Sequence, residues 1–178
     1  MIEWLKKLFG KTEKLEVEMD MLDMAEMINR LILHEKCVLH PYKCPAGKLT
    51  IGIGRNTEDN PFTAEELRVV GDWKHGITRE AAHYLCRNDI EHCIADLKKH
   101  LKWFAGLDKE RKYALIDLCF QLGINGLLKF KRTLGSIAVG NYNLASEQLL
   151  ESKYASQVPT RSKRISKLIK TGKWEIYV

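Results

Sequence analysis

The sequence predicts an α+β fold, predominantly helical, in which a small lobe with a β-hairpin is joined by a long helix to an all-helical lobe. Three observations predict it. Leu49-Thr50-Ile51-Gly52-Ile53-Gly54 alternates β-branched residues with glycine and is preceded by Pro45 and Gly47, which reads as a small antiparallel sheet with a sharp turn. From Thr78 to Leu101 the apolar positions Ala82, Leu85, Ile90, Ile94 and Leu97 keep a helical period almost without a break. At 1.5 Å per residue, ~22 residues span roughly 33 Å, enough to bridge two lobes with a cleft between them. Beyond Lys109 every periodic segment is helical.

Taken in order, residues 1–18 form an amphipathic, basic N-terminal extension whose Trp4, Leu5, Leu8 and Phe9 suit docking on the body or on a partner. Its apolar run is too short for a signal peptide, so export by that route is not expected. Residues 19–77 make the small lobe. It opens with a helix from Met19 to Glu35, apolar at Leu22, Ala25, Ile28 and Ile32. After the hairpin, Thr63-Ala64-Glu65-Glu66 has the form of a capping box. Thr78 is the expected N-cap of the linking helix, 78–101. Residues 102–178 form the helical lobe. Its helices are expected at Lys109–Leu122, ended by Gly123, and at Arg132–Val139, Leu144–Lys153 and Thr160–Lys170, the last capped by Thr160. Trp174 and Tyr177 are expected to anchor the terminus.

Composition narrows the class. With 178 residues, 45% hydrophobic and 29% charged, the chain suits one compact domain or two small lobes sharing a helix. Its five cysteines are odd in number and lack CxxC spacing, which favours reduced thiols over a disulfide framework or a metal site. No cofactor or metal is expected. Cys86 and Cys93 fall one heptad apart and read as small core residues. A net charge of +6 points to anionic partners. Residues 151–173 concentrate lysine and arginine, yet lack interleaved aromatics over Arg161–Lys170 and follow no nucleic-acid-binding motif, so a solvated helix face is preferred to a nucleic-acid patch.

The chemistry concentrates in residues 35–57. Glu35 closes the first helix beside a polar turn, a position where a rigid scaffold presents functional groups. Burial and the negative helix end both favour a carboxyl that keeps its proton. Read alone, Glu35 is better taken as an ordinary surface glutamate, because lone glutamates are common. The spacing Glu35-x8-Cys44-x5-Thr50, with Tyr42 and Thr50-Ile51-Gly52-Ile53-Gly54, resembles the signature of T-even phage lysozymes, glycoside hydrolase family 24. Gly76-Ile77-Thr78, Phe120-Gln121-Leu122-Gly123, Thr160-Arg161-Ser162-Lys163-Arg164 and Thr171-Gly172-Lys173-Trp174 follow in that family's order. The resemblance runs from about residue 25 to the C-terminus.

The resemblance implies a lysozyme-like fold and a muramidase cutting the β-1,4 bond between N-acetylmuramic acid and N-acetylglucosamine in peptidoglycan, with inversion. Glu35 is the implied general acid, Thr50 the group placing water, and Arg161 the supporting ion-pair partner of Glu35. Tyr42, Gly54, Phe120, Gln121, Thr133 and Gln148 are the implied substrate contacts. Position 44 departs from the family: Cys44 stands where an aspartate is usual. An unperturbed thiol near pH ~8.5 is mostly neutral at pH 7, so a role equivalent to the carboxylate needs a neighbouring cation such as Lys43, Lys48 or Arg161. As a thiolate, Cys44 would activate water or attack the sugar itself. Arg55 replaces a usual histidine, and His34 a usual acidic residue. The implied setting is a phage endolysin, monomeric, held in the host cytoplasm until a holin opens the way to the periplasmic wall, with peptidoglycan and no nucleic acid as partner. Two alternatives stand beside it: a catalytically silent wall-binding or tail-associated module, and a helical nucleic-acid binder.

Overall fold

The computed structural model describes residues 21–44 and 47–174, with the side chains of residues 21 and 22 left aside, so the expectations for residues 1–18 and for Tyr177 lie outside the described residues. Helix α1 runs Met21–Glu35. Its buried face is Met24, Met27, Ile28 and Leu31, whereas Ala25 faces solvent. The expected stripe is therefore rotated toward the methionines, whose flexible side chains fill the core better than alanine. The helix stops abruptly: Lys36 adopts φ 62° and its amide bonds to the Ile32 carbonyl at 3.0 Å. This left-handed residue, uncommon outside glycine, turns the chain into the sheet immediately after Glu35.

Three antiparallel strands follow in the order β1 (Val38–Lys43), β2 (Leu49–Gly52) and β3 (Arg55–Asn56). Tyr42 faces Thr50 and Lys43 faces Leu49 across β1–β2, with an irregularity between Val38 and Tyr42. The alternating segment 49–54 leaves strand geometry after Gly52. Gly52 and Gly54, at φ 68° and 73°, make the turn into β3.

Helix α2 (Ala64–Val70) carries the expected capping box, Thr63 accepting from the Glu66 amide and Glu66 accepting from the Thr63 amide. Helix α3 (Arg79–His100) starts at Thr78, whose hydroxyl accepts from the Ala81 amide at 3.1 Å. It serves two cores. Ala81, Ala82 and Leu85 pack with Ile51, Val70 and Ile77, while Cys86, Ile90 and Leu97 enter the larger cluster. That larger cluster also holds Met24, Met27, Ile28 and Leu31, so α1 is packed with the C-terminal helices although it precedes the sheet in sequence.

Helix α4 spans Lys109–Leu127 with Asp108 as N-cap. Gly123 does not end it. The residue leaves helical geometry (φ 65°, ψ 163°) and the helix resumes to Leu127, a kink at glycine rather than a stop. Helices α5 (Lys131–Ala138), α6 (Tyr142–Leu150), α7 (Lys153–Gln157) and α8 (Pro159–Thr171) complete the lobe. The expected helix over 144–153 divides at Ser152, which caps α7 instead of continuing α6. Thr160 is not the cap of α8. Val158 holds that place, with Pro159 at the first helical position. Gly172, at φ 63°, closes α8, and Arg111 from α4 donates to the Ile169 and Lys170 carbonyls at 2.8 and 3.2 Å. Trp174 packs on the large core with its ring over the Arg30 guanidinium, 4.4 Å away.

Candidate active site

Glu35 sits where α1 gives way to the sheet, its side chain 23% exposed. Two contacts fix it. Arg161, from α8, donates Nη1 to Glu35 Oε1. On the other side the carboxylate lies against Gly54, where a β-carbon would stand 3.0 Å from Oε2. The glycine is required twice, for its left-handed backbone and for this close approach. Arg161 is itself buried and donates Nε to Asp117 Oδ1 at 2.7 Å. One guanidinium thus joins α1, α4 and α8.

The hairpin brings Cys44, Thr50 and Tyr42 together. The Cys44 amide and the Thr50 hydroxyl both donate to the Lys48 carbonyl, at 2.9 and 3.1 Å, so these two residues converge on one oxygen. Tyr42 is the cross-strand neighbour of Thr50. Its hydroxyl is pushed above its ordinary range, first by burial and then by the charges of Glu35 and Cys44, which places it within electrostatic reach of both. Of the cations expected beside Cys44, Arg161 is committed to Glu35 and Asp117. Lys43 is exposed, and the Lys48 ammonium donates to Asp59 Oδ1 at 2.5 Å while lying within electrostatic reach of Cys44, the cation a thiolate there would use.

On α4, Phe120 and Gln121 are both half-buried. Gln121 Oε1 accepts from the Tyr154 hydroxyl at 2.8 Å. Tyr154 also meets Phe130 edge to face and borders a pocket of about 580 Å³ that includes Thr133 and Gln148. Thr133 is buried, while Gln148 accepts from Ser136 Oγ at 3.0 Å. The structure therefore places Thr133 and Gln148 together, in a pocket that neither Glu35 nor Gln121 lines and that Tyr154 borders. The mouth of this pocket carries Lys129, Lys131, Arg132 and Lys153 against Glu151.

Several residues around the site were not legible as site residues. Asp117 is one charged residue inside an unbroken buried run, 113–119, and that break in apolarity is its only signal. His34 places Nε2 3.8 Å from Asp117 Oδ2, and burial, reinforced by Arg161 and Arg164, holds the imidazole down at about 4. It is neutral at pH 7. Arg55, whose role the sequence leaves open, is buried and donates to Asp89 Oδ2 and Glu66 Oε1, each at 2.8 Å. Asn88 and Asn60 complete that network at 2.9 and 2.7 Å. None of the five cysteines forms a disulfide; Cys86 and Cys119 are buried and Cys93 packs half-buried against the same core. Among the described residues no group of three or more His, Cys, Asp or Glu is arranged to hold a metal ion, and no helix is long and apolar enough to cross a membrane.

Glu35, at a helix end, is thus held between a buried arginine of α8 and the glycine turn that follows β2. The phage lysozyme family profile matches residues 33–171, and the chain belongs to that family. Among its relatives, the probable T4-type lysozyme 1 of Dictyostelium discoideum is 31% identical over 153 residues, covering 78% of this chain and 90% of that protein. A second Dictyostelium discoideum protein, the probable T4-type lysozyme 2, is 28% identical over the same shares of each chain. The pre-baseplate central spike protein Gp5 of Enterobacteria phage T4 is 29% identical over 170 residues, 88% of this chain. The chain spans only 29% of the length of that spike protein.

Proposed function

We propose that this protein hydrolyses the β-1,4 bond between N-acetylmuramic acid and N-acetylglucosamine in peptidoglycan, by a single displacement with inversion. The observation that carries the reading is the pairing of a clamped Glu35 with the convergence of Thr50 and Cys44 across the turn. Glu35 gives its proton to the bridging oxygen as that bond breaks. Water held by the Thr50 hydroxyl attacks the anomeric carbon from the opposite face, and its proton passes to Cys44 acting as thiolate. Tyr42 and Gly54 border the reacting sugar, Phe120 and Gln121 face it from the helical lobe, and Thr133 and Gln148 receive the substrate further along. Arg161 holds the acid's rotamer. The direct test is clearing of chloroform-treated Gram-negative cells followed by turbidity, with anomeric analysis of the released sugars. α-Configured reducing ends support inversion; β-configured ends with lysis intact would remove that step.

The setting we propose is an endolysin that waits in the host cytoplasm and reaches the periplasmic wall through a holin lesion, acting as a monomer. A second reading has its own support in the likeness to a phage spike protein: a tail-associated module that opens the wall during entry. Detection of the chain in purified virions would favour the second, and its absence there with accumulation late in infection the first.

A further inference from the structure

We propose that Asp117 is a positioning residue for Glu35, acting through Arg161. The inference rests on the reading of Glu35 as the acid and goes beyond it. Asp117 is 5% exposed, lies on α4, and accepts Arg161 Nε at 2.7 Å. That bond uses the edge of the guanidinium remote from Glu35 and leaves Nη1 aimed at Oε1. A planar guanidinium held at Nε cannot rotate about its terminal bonds without breaking one contact, so Asp117 fixes the direction from which Arg161 approaches the acid.

Neutral His34, 3.8 Å from Oδ2, does not compete with Arg161 for Asp117.

Asp117→Ala removes the acceptor of Nε, whereas Asp117→Asn keeps one. Asp117→Ala should lower kcat roughly tenfold with KM within about twofold, and Asp117→Asn should restore most of that rate. Glu35→Gln is assayed beside them. If Glu35→Gln remains lytic, the reading of the acid fails. If Glu35→Gln is inert but Asp117→Ala loses rate only in proportion to its fall in Tm, or Asp117→Asn is as slow as Asp117→Ala, the positioning role is overturned. Should either Asp117 variant not fold, the Nε–H of Arg161 in the native protein decides by NMR. Slow exchange supports the clamp, and exchange at the rate of free arginine overturns it.

Discussion

At the scale of single residues the site is a set of charges arranged around one proton. His34 shows how burial decides such a balance. In the unfolded chain its imidazole takes a proton near pH ~6.5, in the fold only near 4, so between those values the unfolded state binds more protons and stability falls as the pH is lowered. The loss from neutrality to pH 4 is on the order of 3 kcal/mol. Urea unfolding of His34→Gln should show a shallower decline between pH 6.5 and 4 than the parent; parallel curves would contradict this. Cys44 is tested by exchange. Cys44→Asp should retain more lytic activity than Cys44→Ser, because an aspartate is ionised at pH 7 and a serine hydroxyl is not. Equal rates for Cys44→Ser and the parent would remove the thiol from the chemistry. The spacing of Glu35, Cys44 and Thr50 is local, so a sequence pattern can single them out. It cannot single out Asp117 and His34, since their meaning comes from a buried cation 44 residues beyond Asp117 in sequence.

At the scale of elements, the acid is placed by how α1 ends and how β2 turns. Lys36 in left-handed geometry stops the helix at Glu35, and Gly54 lets the turn close on its carboxylate. Gly54→Ala meets both constraints at once, a strained φ and a β-carbon 3.0 Å from Oε2. It should lose about 1–2 kcal/mol of stability and displace Glu35, lowering lytic rate by more than ten-fold, about 1.4 kcal/mol in the barrier. Gly140→Ala, at φ 75° with open space around it, should lose comparable stability and keep its rate. Thermal melts and turbidity assays on the pair separate strain from contact. The helices with side-chain caps at Thr63, Thr78 and Asp108 started where the sequence indicated. The failures were at Gly123, Ser152 and Thr160, where tertiary packing let a helix kink, divide or begin early.

At the scale of the whole molecule, two buried arginines tie distant parts together. Arg55 fastens the sheet to α2 and α3, and Arg161 fastens the C-terminal lobe to the end of α1. The first link is structural. Arg55, with Asn88 and the Thr63 amide, holds Glu66 down at about 2, so the stability it contributes is present above pH ~4.5 and lost as pH falls from there toward 2. Arg55→Ala leaves two buried carboxylates without their cation and should destabilise by about 3–5 kcal/mol in urea unfolding at pH 7; a loss under 1 kcal/mol would show the network to be idle. The sequence pattern conveyed the α+β, mostly helical class, because periodicity and caps are local. It did not convey which lobe packs α1, because that depends on which apolar face meets which core. The second link is the one the proposed chemistry depends on, and Glu35→Gln tests it most directly. The variant keeps the shape of the side chain while removing its proton, so it should fold with a Tm within a few degrees of the parent and show no clearing of exposed Gram-negative walls. A folded Glu35→Gln protein that lyses walls at the parental rate would contradict the assignment of the acid and of everything positioned around it.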